Sequence, residues 1–116
     1  MADFVDVYGC PLKLVSFLKE DTGFMDTDFV GQPLVTTPTT EVKALSFKAG
    51  QQTSYEKARY DLSLYVVEGS GTLALGYEDV DMTKSSVVVV PKGMLWGINN
   101  TGGSSLVVLQ TVNKNV

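Results

Sequence analysis

Within the stretch GQQTSYEKARYDLSLYVVEGSG, residues 50–71, a carboxylate, a guanidinium and a phenol stand close together at Glu56, Arg59 and Tyr60. A carboxylate that loses its hydration becomes a better proton acceptor, and a neighbouring phenol, Tyr60 or Tyr55, can return the proton. The chemistry these groups suit is proton abstraction next to a carbonyl. Arg59 is the only arginine in the chain, and its planar fork could hold a substrate carboxylate or phosphate. Each residue also has a structural role open to it. Arg59 could pair with Asp61 or Glu56, and Glu56 could pair with Lys57, Arg59 or a backbone donor. Tyr55, Tyr60 and Tyr65 are residues that strands favour whatever their function.

Other chemistries are excluded by what the chain lacks. It contains no histidine, so Ser-His-Asp and Cys-His machinery cannot be assembled from it. The single cysteine, Cys10, can form no internal disulfide and has no cation nearer in sequence than Lys13, which reads as a free thiol in a reducing, cytoplasmic compartment. Gly69-Ser70-Gly71 lacks the third glycine of a dinucleotide fingerprint, and no phosphate-binding loop motif is present. A net charge of −4 with no Lys/Arg cluster argues against a nucleic-acid partner. No apolar run approaches the ~18 residues that cross a bilayer, so no membrane association is expected. Glu78, Asp79 and Asp81 could offer oxygen ligands to a hard cation, but the pattern equally describes a solvated hairpin tip.

The elements that must position these residues are strands. With 116 residues, 44% hydrophobic and 19% charged, the chain fits one domain able to bury a core. From residue 42 onward, apolar runs separated by glycine-containing turns predict strands over 42–47, 53–59, 62–67, 71–75, 79–82, 87–90, 95–99 and 105–112. That spacing is the mark of an all-β sandwich or barrel. Val87-Val88-Val89-Val90 is apolar on both faces and predicts a central strand covered on both sides; Leu106-Val107-Val108-Leu109 repeats the pattern. A partner subunit could cover such faces, so a homodimer is expected. Residues 32–40, with two prolines, predict an extended edge segment, while 12–19 supports either a strand or a short helix, with a loop through 21–23.

With these elements laid out, residues 42–112 resemble the cupin superfamily, whose first signature is G-x5-H-x-H-x3,4-E-x6-G and whose second is G-x5-P-x-G-x2-H-x3-N. Gly50 and Gly69 fill the two glycine positions of the first signature, and Pro91, Gly93 and Asn100 stand in the second. The metal-ligand positions fall on Glu56, Ala58, Leu62 and Trp96, and the second signature's opening glycine is Ser85. The resemblance implies an all-β, single-domain, RmlC-like double-stranded β-helix (jelly-roll barrel) over about 42–112, preceded by a strand or loop segment over about 1–41. It also implies that no metal or other cofactor is bound, because one carboxylate is too few ligands.

By strand alternation and the family geometry, Glu56 and Tyr60 would face the barrel interior with Leu62, Leu64 and Val66, and Trp96 would stand opposite Glu56. The implied ligand-binding set is Glu56, Ala58, Arg59, Tyr60, Leu62, Leu64 and Trp96, with Glu56 and Tyr60 as candidate catalytic residues. Trp96 could either fill the space a metal would occupy or stack on a sugar or aromatic ring. Three functions stay open. The barrel could bind a small organic molecule; it could be a metal-independent isomerase, epimerase or lyase with Glu56 as base; or it could be a filled structural or sensor module. An open cavity separates the first two from the third.

Overall fold

The computed structural model describes residues 28–114 together with two short strands, β1 (Phe4–Val5) and β2 (Pro11–Leu12), which pair antiparallel. The readings of residues 13–19 and 21–23, and of Cys10, lie outside the described residues. Nine further strands follow: β3 (Val30–Thr36), β4 (Thr40–Phe47), β5 (Glu56–Lys57), β6 (Asp61–Glu68), β7 (Gly71–Leu75), β8 (Glu78–Met82), β9 (Val87–Val90), β10 (Leu95–Asn99) and β11 (Leu106–Asn113). They form a five-stranded sheet of order β3-β4-β11-β6-β9 and a four-stranded sheet of order β5-β10-β7-β8. Every pairing is antiparallel. The architecture is all-β, and among the described residues there is no helix long and apolar enough to cross a membrane.

The expected strands recur with ends shifted by no more than two residues, apart from 53–59. That segment shrinks to β5 because Thr53 spends its side chain on the neighbouring strand: its Oγ1 accepts the Ile98 N–H at 2.9 Å, where a continuous ladder would use a backbone carbonyl. Beyond β5, Ala58 is held by its N–H to the Met94 carbonyl and by its own carbonyl from the Gly93 N–H. The proline-bearing segment is an edge strand as expected, β3, and its register shifts between Pro33 and Val35, where the missing N–H breaks the ladder. It extends the sheet back to residue 30, before the expected start at 42.

One expectation is overturned. The four-valine run is the outer edge of the five-stranded sheet, not a central strand. Val90 is fully buried, whereas Val87 and Val89 are 63% and 62% exposed. β-Branching favours a strand but does not say which side of it is covered. The second such run, in β11, does lie in the sheet centre, with Leu106, Val107 and Val108 buried.

Alternation along each strand sorts the side chains between the sheets and outside them. On the inner face of the larger sheet the cross-strand register places Phe47 against Leu106, then Leu45 against Val108 and Val66. The next rows are Lys43 against Gln110 and Leu64, and Glu41 against Val112 and Leu62. The facing sheet contributes Leu73, Ile98, Met82 and Trp96 to the same core. The barrel interior therefore runs from an end filled by apolar side chains, where Phe47 stacks on Phe29 with centroids 5.1 Å apart, to an end carrying charge.

The signature turns keep their backbone conformations. Gly69 has φ +83°, and a Cβ there would stand 2.2 Å from the Ser105 carbonyl oxygen, so no other residue fits without moving the adjoining loop. Ser85, at the position where the second signature opens with glycine, has φ +72°, the one described non-glycine residue in the left-handed region. The backbone form persists although the glycine does not. Asn100, 1% exposed, donates through Nδ2 to the Phe47 carbonyl at 3.2 Å and the Ser104 carbonyl at 2.8 Å, and its Oδ1 accepts the Gly102 N–H at 3.2 Å. It ties the end of β4 to the loop that leads into β11.

Candidate functional site

The four positions at which the cupin signatures place metal ligands converge. Glu56, Ala58, Leu62 and Trp96 all line one depression of about 270 Å³ at the charged end of the barrel. β5 and β10 bring Glu56 and Trp96 side by side as direct cross-strand partners, on one wall instead of facing each other across the cavity. Ala58 reaches the site through its two backbone bonds to the 93–94 turn, and Leu62 is the first inward residue of β6. A second depression of about 430 Å³ adjoins the first, and the two share Lys43, Glu56, Trp96 and Gln110. Its volume lies within the ~300–1,000 Å³ of small-molecule pockets.

The side chains at the signature positions do not suit a metal ion. A carboxylate beside a methyl, an isobutyl and an indole supplies one usable donor, where stable sites use three or four. Among the described residues no group of three or more His, Cys, Asp or Glu side chains is arranged to hold a metal. Asp79 and Asp81 lie exposed on β8, the outer edge strand of the smaller sheet, as a solvated hairpin does.

Trp96 decides how far the cavity extends. It is 7% exposed and part of the core cluster, yet it also lines both depressions. One side of the indole closes the apolar interior, and the other is the floor of the open end. Leu64 is fully buried in the core and does not line either depression. Tyr60 is half-buried and lines the smaller depression with Glu56. The Tyr55 hydroxyl donates to the Gly76 carbonyl, outside both depressions, and Tyr65 faces outward, 39% exposed.

Two expectations about charge change. Glu56 lines the cavity but is exposed, so the loss of hydration on which the general-base reading depends is not supplied by its surroundings. The reason is local: β5 is a two-residue edge strand with nothing beyond it in its sheet. Arg59 is exposed at the cavity lip and makes no ion pair among the described residues, with neither Asp61 nor Glu56; Asp61 accepts the Lys92 N–H at 2.8 Å.

The residues that sequence reasoning missed come from the larger sheet. Lys43 and Gln110 stand directly opposite each other in β4 and β11, with Glu41 one inward position further on and Lys114 just past the end of β11. The Glu41 carboxylate lies 3.4 Å from Lys43 Nζ and 3.6 Å from Lys114 Nζ. The signal for Lys43 was present in TEVKALSF, since Leu45 and Phe47 point inward and Glu41 and Lys43 share their parity. For Gln110 it was hidden, because Leu106-Val107-Val108-Leu109 is apolar on both faces and shows no parity.

A third depression, about 580 Å³, lies outside the barrel between the β7–β8 turn and the β9–β10 loop, bordered by Tyr77 and Met94. It is larger, but it receives none of the four metal-ligand positions, and Tyr77 and Met94 at its border are exposed.

Sequence comparison assigns no family: no family model matches the chain, and no curated protein is similar to it in sequence. The backbone, in contrast, has clear counterparts. A protein of Thermus thermophilus superposes with a TM-score of 0.79 at 17% identity, over 85% of this chain and 96% of that one. An RmlC-like cupin protein of Desulfovibrio desulfuricans gives 0.75 at 24% identity, over 85% and 94%. An RmlC-like cupin family protein with a double-stranded β-helix fold from Methanocaldococcus jannaschii gives 0.74 at 20%, over 85% and 88%. The chain has the fold of the cupins, the double-stranded β-helix. At these identities the likeness is one of fold, and the activity must be argued from the site.

Proposed function

We propose that this chain binds a small organic molecule in the open end of its barrel without the help of a metal ion. The observation that carries this reading is the convergence of all four signature positions on one open depression floored by Trp96, with a single carboxylate among them. The geometry of a cupin site is kept while its donor set is gone. Ligand-observed NMR against a collection of small acids, sugars and amides tests it. Binders that lose their effect with Trp96→Ala, checked to be folded, support the reading, and stoichiometric Fe, Mn, Ni or Zn in the purified protein contradicts it.

A metal-independent isomerase, epimerase or lyase is the second reading, and the observation in its favour is that Glu56 and Tyr60 line the same depression. Solvent deuterium exchange into keto-sugars measures it directly. Exchange that persists unchanged in Glu56→Gln removes Glu56 as the base.

Self-association is part of the proposal. Val87 and Val89 on the β9 edge and Tyr65 beside them leave an apolar strip exposed, Tyr65 pairing with Val87 in register. An uncovered strand edge of this kind is suited to a second copy of the chain. Sedimentation equilibrium distinguishes dimer from monomer, and Val87→Lys combined with Val89→Lys is expected to shift a dimer to monomer.

A further inference from the structure

The open end of the barrel has a charge balance unlike the rest of the molecule. The chain as a whole carries −4. The two depressions, however, are bordered by four cationic side chains, Lys43, Lys57, Arg59 and Lys114, against three anionic ones, Asp28, Glu41 and Glu56. Within this set one carboxylate, Glu41, is shared by two ammonium groups, Lys43 and Lys114, which leaves one positive charge uncompensated at that point. Beside Lys43 in the ladder, the Gln110 amide makes no hydrogen bond among the described residues. Trp96 and Val112 supply apolar surface next to these groups.

Resting on the reading that the open end binds a small molecule, we propose that its ligand is an organic monocarboxylate. The carboxylate sits on Lys43 and Lys114 with the Gln110 amide as a further donor, and the hydrocarbon part lies on the Trp96 indole. One uncompensated positive charge matches one negative charge. A phosphate-like dianion would exceed it and would meet Glu56 on the opposite sheet. Charge-assisted hydrogen bonds in a partly dried cleft are stronger than neutral ones, so the acid is preferred over an uncharged molecule of the same shape.

Trp96 is the chain's only tryptophan, so its fluorescence reports on the cavity floor alone. The test titrates the full chain with pairs of small monocarboxylic acids and their primary amides, and with inorganic phosphate. Acids that change the Trp96 signal saturably, bind about tenfold or more tightly than their amides, and weaken by a similar factor in Lys43→Gln or Lys114→Gln support the proposal. Lys43→Arg, which keeps the charge, is expected to retain most of the affinity. Amides that bind as well as the acids, or an acid affinity unchanged in both glutamine variants, overturn the carboxylate assignment while leaving the cavity as a binding site. Tighter binding of phosphate than of any acid also overturns it. Silence of the Trp96 signal towards every acid and amide overturns the assignment, and silence towards small sugars as well overturns the binding reading beneath it.

Discussion

The two ends of one barrel differ in what their inward residues do. At the closed end Phe47, Leu106, Val108 and Val66 fill the space between the sheets with hydrocarbon and are fully buried. At the open end the same strands present Glu41, Lys43 and Gln110, with Lys114 just past the end of β11, none of them fully buried, around a cavity. The backbone ladder is continuous from one end to the other in β4 and β11. The difference lies in side chains alone, two residues at a time along the same strands. Stability is concentrated where the interior is full, and any binding is left to the end where it is not.

Substitutions at the two ends therefore have unequal effects. Phe47→Ala, which empties the closed end and removes the stack with Phe29, is expected to cost about 3–5 kcal/mol in denaturant unfolding. Val112→Ala at the open end, half-buried against a cavity that can relax, is expected to cost under about 1 kcal/mol. Equal costs would mean that the open end is packed as tightly as the closed one. Asn100→Ala strips partners from two carbonyls and an N–H at the closed end and is expected to cost about 2–4 kcal/mol. Lys43→Gln breaks an ion pair whose lysine side chain is 37% exposed, and it is expected to change stability by under about 1 kcal/mol while weakening acid binding. The smallest effect belongs to the turn after β8. Ser85→Gly relieves a left-handed backbone but adds freedom to the unfolded chain, so a gain of under about 1 kcal/mol is expected by thermal unfolding.

How much of this was legible in the sequence also divides between the two ends. The strands and their turns were readable because glycine and proline mark positions where backbone geometry leaves few alternatives, as at Gly69 and Pro91. The convergence of Glu56, Ala58, Leu62 and Trp96 follows from signature spacing, although only one of the four is a usable metal donor. Sidedness was less legible. The valines of β9 have the composition of a buried strand, but only the sheet order shows that one side of them is an edge. The apolar lining of Leu62, Leu64 and Val66 predicts a dry Glu56, but alternation does not show that its strand is a two-residue edge, which leaves the carboxylate exposed. Lys43 and Gln110 became visible as neighbours only through the β4–β11 register, which links residues far apart in the chain.

The most direct test of the account is a two-dimensional NMR titration that follows the single indole N–H of Trp96 and the Gln110 side-chain amide together with the backbone amides of the closed end. The account predicts that a bound monocarboxylate moves Trp96 and Gln110 in concert with one saturation curve, while the amides of Phe47, Val66 and Leu106 stay in place. If every small molecule tried leaves both signals unmoved, or shifts only the outer groove around Tyr77 and Met94, the open end of this barrel is not its binding site.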